Sequence, residues 1–410
     1  MVRRQRNGNT PSVHTTAAHN VNSFSLHRLR LFRILLMLVL LAAAAHAQVD
    51  VAGSTGADGT YATLKAAFDA LNLNGTQAGN VITISITAST VESASASLNQ
   101  PSVSSWTSLT IQPSGGAVRT VSGSVAGGAL INGADNVTID GLNSGGNALT
   151  IENTSTSATA GTSTIRFIND ASNNTVQNCT IKGSGTGATT GTVYYSTGTT
   201  TGNDNNTVSG NIIAPSGSNL PLNGVYSAGT SVSVDNSGNT VSNNDIQDYY
   251  GAAAASNGIL IASSSSAWTI TGNKFFQTGT RTATAGNAHR AIQIVTALGV
   301  NYTVSNNTIG YADNAGTGVT TYDGAFANLF RGIELTVGTA SASSVQGNTV
   351  SGISFSTTSG TTTLPGIFSG IVVLGGNVNI GTVTPNTVGS GTGTGAVSVT
   401  STTSLGVITG

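Results

Sequence analysis

Residues 303–309 (T-V-S-N-N-T-I) are one copy of a heptad that recurs through most of the chain. Further copies begin at Thr175 (T-V-Q-N-C-T-I), Thr207 (T-V-S-G-N-I-I), Thr240 (T-V-S-N-N-D-I), Thr269 (T-I-T-G-N-K-F) and Ser344 (S-V-Q-G-N-T-V), at successive spacings of 32, 33, 29, 34 and 41 residues. A weaker copy, T-I-D-G-L, starts at Thr138, 37 residues before the first. A period in this range implies a solenoid, in which each repeat exposes an apolar face that only its neighbours can cover.

Each copy reads as a strand, a sharp bend and a second strand. Positions 176, 208, 241, 270, 304 and 345 are all Val or Ile, so stacking lines them up on one inner face. The bend calls for a residue that tolerates a left-handed backbone, which Asn does at the least cost after Gly. Asn211, Asn244, Asn273, Asn307 and Asn348 fall at that register, and stacked amides there form an asparagine ladder. Cys179 holds the same register in the earliest full copy and reads as a small buried turn residue. A further strand column precedes each heptad, at residues 164–167, 258–261, 291–294 and 332–335. Its first Ile lies 14, 14, 15 and 15 residues before the Cys179 or Asn position, so variation in repeat length belongs to the other connection. In solenoids such insertions form loops on one side, often the binding side.

Residues 1–47 hold six of the 14 Lys and Arg, followed by an uncharged apolar run at 34–45 and then Ala45-His46-Ala47. This predicts a secretory signal peptide cleaved before Gln48, since the run is short for a membrane span; an uncleaved anchor is the alternative. All 15 acidic residues lie beyond it against 14 − 6 = 8 basic ones, leaving a mature chain near 8 − 15 = −7. That balance argues against nucleic acid as a partner. Cys179 is the single cysteine, so no intramolecular disulfide forms. Charged residues make up only 7% of the chain and Gly alone contributes 53 positions, a composition compatible with disorder. The regular Val/Ile columns oppose that reading, because a disordered chain has no reason to keep register.

Residues 59–72 predict an amphipathic helix with Tyr61, Leu64, Phe68 and Leu71 on one face. It caps the open end of the stack within an N-terminal cap at 48–80, with residues 81–86 as the first strand and 108–111 beginning the next rung. The cap helix in G-T-Y-A-T-L-K-A-A-F-D-A-L, the strand after it and the T-V-x-[GN]-N-x-[IV] rungs together resemble the right-handed parallel β-helix of the pectin lyase-like superfamily. More narrowly, they resemble the large exported β-helix proteins of Bacteroidetes-type bacteria. The resemblance covers roughly residues 50–410. It implies an all-β, single-stranded parallel β-helix over residues 81–410. That superfamily hosts lyases, hydrolases, adhesins and tailspikes, so fold does not select function.

Charge concentrates at His289, Arg290 and Arg331, which fall at equivalent positions of adjacent rungs, with Glu334, Asp313 and Asp323 close in sequence. Two Arg one rung apart, about 4.8 Å, would suit a uronate carboxylate while Glu334 or His289 moves a proton. Equally, these are turn residues whose charges balance. Outward positions of the preceding strand column are Arg166, Tyr194, Tyr226, Leu260, Gln293 and Glu334, a mixed polar and aromatic strip. The sequence contains no P-loop, zinc spacing, nucleophile elbow or calcium nonapeptide repeat, so neither a metal site nor a cofactor is expected; calcium would enter only with a lyase.

Two functions follow from the sequence. One is a secreted or cell-surface scaffold, non-catalytic, whose uncharged Ser/Thr/Asn faces contact carbohydrate or cell-surface glycan. The other is a polysaccharide lyase or glycoside hydrolase acting on acidic polysaccharide through the His289, Arg331 and Glu334 region. Residues 376–381 still read as a rung and 396–400 as a strand. The expectation is a stack continuing beyond residue 410, or an open edge that self-associates.

Overall fold

The computed structural model describes residues 48–98, 105–132, 134–390, 396–402 and 405–410; the expected leader and its cleavage point lie outside them. The chain forms a parallel β-helix in which three sheets of twelve, ten and ten strands run along one stack. The leading residues of the heptads pair in order from Thr138 through Thr175, Thr207, Thr240, Thr269 and Thr303 to Ser344, all in the first sheet. The second half of each heptad enters the second sheet, where Ile181, Ile213, Ile246, Phe275, Ile309 and Val350 stack in register. The strand column before the heptads is the third sheet, pairing Ile165, Val193, Val225, Ile259, Ile292 and Ile333.

The core fills the tube between these sheets. Val176, Val208, Val241, Ile270, Val304 and Val345 are each at most 1% exposed. Each such side chain contributes roughly 1.5–3 kcal/mol, and only because a rung lies above and below. Where the third sheet turns, the inner column narrows to Gly224, Gly258, Ala291, Gly332 and Gly370. A Cβ on Gly332 would lie 2.3 Å from the Gly370 carbonyl oxygen, so these rungs stack only with next to no side chain there.

The asparagines form a continuous hydrogen-bonded column. Asn211, Asn244, Asn273 and Asn307 each donate Nδ2 to the Oδ1 of the next, ending on Asn348, at 2.9–3.0 Å. Asn348 extends the series to Asn386 at 2.9 Å. The same nitrogen of each donates to a main-chain carbonyl of the previous rung, as Asn244 does to Val208 and Asn307 to Ile270. Each Oδ1 also accepts the backbone N–H of the residue below, so both ends of every inner amide are satisfied. Cys179 begins the column, its backbone N–H donating to Asn211 Oδ1 at 2.9 Å.

Two expectations need correction. The left-handed residue of the bend is not the ladder asparagine but the one before it: Asn178, Gly210, Asn243, Gly272, Asn306 and Gly347 have φ between 55° and 68°. That residue reverses the chain, and only then does the next side chain point inward to join the column. The helix is also shorter than expected. It spans Leu64–Asn72, and Thr63 caps it by accepting the Ala66 N–H at 3.1 Å. Gly59–Tyr61 is instead a strand, β2, antiparallel to β1 (Val49–Ala52), which is itself antiparallel to β3 (Val81–Ile86), the strand opening the parallel stack. Tyr61 matches the helical period by coincidence; its hydroxyl donates to the Ala57 carbonyl. Leu64, Phe68 and Leu71 are fully buried, and Glu92 accepts the N–H groups of Leu64 and Lys65 at the helix start.

Candidate functional site

In register on the third sheet, Arg166, Tyr194, Tyr226, Leu260, Gln293 and Glu334 form one outward column. The rings of Tyr194 and Tyr226 lie 5.0 Å apart and the Arg166 guanidinium is 5.1 Å from the Tyr194 centroid. Stacking leaves the two tyrosines only 8% and 5% exposed, so this part of the strip is a packed ridge. Burial, then the neighbouring Tyr194, pushes the Tyr226 hydroxyl above its usual pKa.

At the other end of the column the structure brings Arg290, Arg331 and Glu334 together. Arg290 pairs with Arg331 across adjacent strands. Glu334 Oε1 accepts from Arg290 Nε at 2.9 Å and from Gln293 Nε2 at 2.6 Å, while Arg331 Nε lies 3.8 Å from Glu334 Oε2. Arg331 is 3% exposed, and its guanidinium donates to the Phe330 and Gly366 carbonyls at 2.7 Å each. Burial lowers the Arg331 pKa, Glu334 opposes that shift and Arg290 adds to it. This arrangement is an interlocked ion cluster that ties two rungs and the 366 loop together. Its carboxylate has three cationic or amide donors around it, and its guanidinium is engaged with main chain.

His289 does not join this cluster, because alternation along the strand sends it to the opposite face from Arg290. It is 1% exposed, in register with Phe330 and then Phe368, and clustered with the rings of Tyr250 at 4.8 Å and Tyr322 at 5.6 Å, which lie 6.1 Å from each other. Nδ1 meets Ser256 Oγ at 2.9 Å, and Nε2 has no partner among the described residues. Burial, reinforced by Arg290, lowers its pKa to about 4. Asp313 sits on an exposed loop, taken up by its own Ala315 and Thr317 N–H groups. Asp323 follows Tyr322 at the edge of the same aromatic stack. Thus the six charged candidates divide among an ion cluster, an aromatic core and a surface turn. The Cys179 thiol is buried, and desolvation followed by Asp140 raises its pKa.

The first sheet carries a feature of a different kind. Thr83, Thr110, Thr138, Thr175, Thr207, Thr240, Thr269, Thr303 and Ser344 stand in unbroken register on its outer side. Two residues on, a parallel rank includes Gln177, Ser209, Ser242, Thr271, Ser305 and Gln346. Every member of both ranks is half-exposed, alternating with the buried Val/Ile column. Hydroxyls therefore repeat about every 4.8 Å along the stack and about 6.6 Å across it. Gln177 donates to the rank's carboxylate, Asp140, at 2.7 Å.

No protein-family model matches this chain, and no curated protein matches it. Among solved structures it is similar to PfbA, a surface adhesin of Streptococcus pneumoniae, at 15% identity and a TM-score of 0.40, over 82% of this chain and 90% of that one. Among the described residues no helix is long and apolar enough to cross a membrane.

Proposed function

We propose that this chain is a non-catalytic β-helix scaffold, exported to the cell surface or its surroundings, that contacts neutral glycan through the outer face of its first sheet. The carrying observation is the double rank of half-exposed hydroxyl and amide side chains from Thr83 to Ser344. An extended glycan lying along the stack would offer hydroxyls to successive rungs, and many weak contacts in one rigid array sum without ordering the protein side. An almost uncharged face favours a neutral polymer over a uronate. Export rests on the leader-like residues 1–47.

The enzyme reading has less support. A lyase or hydrolase requires a carboxylate or imidazole with free capacity near a substrate. Glu334 is surrounded by Arg290, Gln293 and Arg331, and His289 faces the core.

The test is retention on insoluble neutral polysaccharides by the full chain and by a triple variant, Thr207→Val, Thr240→Val and Thr269→Val. Valine keeps the β-branched shape and removes the hydroxyl. The expected result is binding by the native chain and at least tenfold weaker retention by the variant, with melting temperature unchanged. Equal retention by both would overturn the assignment to this face. Release of unsaturated uronate from acidic polysaccharide, followed by ultraviolet absorbance with and without calcium, would instead establish the lyase.

A further inference from the structure

The spacing from Thr240 to Thr269 is 29 residues, against 33 before it and 34 after it. Against the rung before it, the shortfall falls where the third-sheet strand Ser256–Ser263 returns toward the first sheet, 10 residues from Ile259 to Thr269 against 15 from Val225 to Thr240. Against the rung after it, with 11 residues from Ile292 to Thr303, most of the shortfall lies in the other connection. The strand Ser256–Ser263 turns on the single residue Ser264, φ 44°, directly into the strand Ser265–Ser266. The preceding rung makes the same crossing with residues 229–235, folded back by a Ser231/Val234 bridge, and the following rung uses residues 296–302. Beside this short turn, lined also by Val232 and Asp235 of the preceding connection and by residues 295–300 of the following rung, is a groove of about 420 Å³. That volume falls within the usual range for ligand sites.

The groove is lined by both aliphatic and polar side chains. Val232 projects from one connection and Val295 and Leu298 from the other, with Val232 and Leu298 62% and 71% exposed. Asp235 and residues 263–266 contribute its polar lining. One Asp235 oxygen, Oδ2, accepts from Ser266 Oγ; the other carboxylate oxygen and the hydroxyls of Ser263 and Ser264 have no protein partner among the described residues. Among the described residues no basic side chain lines the groove.

We infer that this groove receives the side chain of a lysine on a partner polypeptide, its stem between Val232 and Leu298 and its ammonium on Asp235. An ammonium is a compact donor of three hydrogen bonds, matched by the free Asp235 oxygen and two serine hydroxyls. A bidentate arginine fork would have to share Asp235 Oδ2 with Ser266, whereas an ammonium needs only the other carboxylate oxygen and the two hydroxyls. The groove is wider than one butylammonium group, which leaves the exposed Val232 and Leu298 to pack on residues flanking the lysine. The site is separate from the hydroxyl face, so either assignment can fail alone.

The test titrates a blocked pentapeptide, Ala-Ala-Lys-Ala-Ala, into the full chain labelled with nitrogen-15, following the amides of residues 229–235, 263–266 and 295–300. Parallel titrations use the arginine and norleucine versions of the peptide and free cadaverine. The expected result is saturable shifts confined to these segments with the lysine peptide, at least tenfold weaker with each of the other three. Asp235→Asn should weaken lysine-peptide binding at least tenfold, and Leu298→Ser, which leaves the acid in place, at least threefold, each with native-like spectra elsewhere. Absence of shifts, equal binding of arginine or norleucine, or indifference to Asp235→Asn would overturn the inference. Cadaverine binding as tightly as the peptide would overturn the polypeptide partner.

Discussion

Asn273 donates its side-chain amide to Asn307 Oδ1 at 3.0 Å, and Asn307 passes the same bond to Asn348 at 2.9 Å. The pair shows why the heptad keeps one asparagine at a fixed register while its neighbours vary. Asn307 also donates to the Ile270 carbonyl and accepts the Asn273 backbone N–H, so it closes main-chain groups that the bend would otherwise leave buried and unpaired. Asn307→Leu removes all four bonds and should destabilise by about 3 kcal/mol or more, since each stranded buried group costs about 1–3 kcal/mol. Asn306 next to it has φ 55° and an exposed side chain, so Asn306→Gly should be close to neutral and Asn306→Val should cost about 1–2 kcal/mol. Urea unfolding of the three variants checks both halves, and equal effects at 306 and 307 would refute the division of labour.

The aromatic stack predicts acid sensitivity. The folded pKa of His289 is near 4, below an unfolded value of about 6.5. Unfolded protein therefore binds the proton more readily. The contribution of neutral His289 is complete above about pH 6.5 and is lost as the pH falls through the window down to about 4, a change of up to about 3 kcal/mol. His289→Phe, matching Phe330 and Phe368 in the same column, should flatten stability across that window. Thermal melts from pH 4 to pH 7 measure it, and parallel losses in both proteins would place the acid sensitivity elsewhere.

Glu334→Ala should act on stability. It leaves Arg290 and Arg331 facing one another at adjacent rungs with their shared carboxylate gone, and Arg331 is 3% exposed. Breaking a buried pair from one side typically costs about 3–5 kcal/mol. Calorimetry with Glu334→Ala and with Glu334→Ala/Arg290→Leu tests this, the second being less destabilised because one stranded charge is removed. A melting temperature unchanged in the single variant would release Glu334 from its structural role and reopen the catalytic one.

Much of the architecture is legible in the sequence because repetition reports the same environment many times. A Val or Ile at 176, 208, 241, 270, 304 and 345 could each be accidental alone, yet six in register fix a strand and its buried face. Features that occur once carry weaker signals. Tyr61 fits a helical period but lies in an antiparallel cap strand, a pairing that only Val49–Ala52 explains. The heptad pattern puts the bend one residue late because Asn243 and Asn244, like Asn306 and Asn307, stand side by side with different backbone duties. A second inner stack, Asn174 to Asn206 to Asn239, escapes the heptad alignment although each precedes the leading Thr; it stops where Trp268, Tyr302 and Ser343 take over. For the charged residues, alternation alone separates His289 from Arg290, and that signal is in the sequence. The partners of Arg331 are not, since the Gly366 carbonyl comes from a distant loop.

The column of small residues yields a final prediction. Gly332 does not have a left-handed backbone, so alanine there meets no φ penalty and any effect comes from space. Its Cβ would stand 2.3 Å from the Gly370 carbonyl oxygen and 3.0 Å from Val350 Cγ2, and a backbone oxygen cannot rotate aside as a side chain does. The rungs bearing Gly332 and Gly370 would have to separate, stretching the parallel bonds from Phe330 through Leu335 to their partners in the next strand. Gly332→Ala should therefore destabilise by about 1–3 kcal/mol, the usual cost of overpacking. Gly279, with nothing within 4 Å of an added methyl and no left-handed φ, is the control, and Gly279→Ala should be neutral or slightly stabilising through the unfolded chain. Denaturant midpoints for the pair decide it. If Gly332→Ala melts with Gly279→Ala, the rungs have slack at this corner, and the restriction to glycine and alanine along the column needs a cause other than stacking distance.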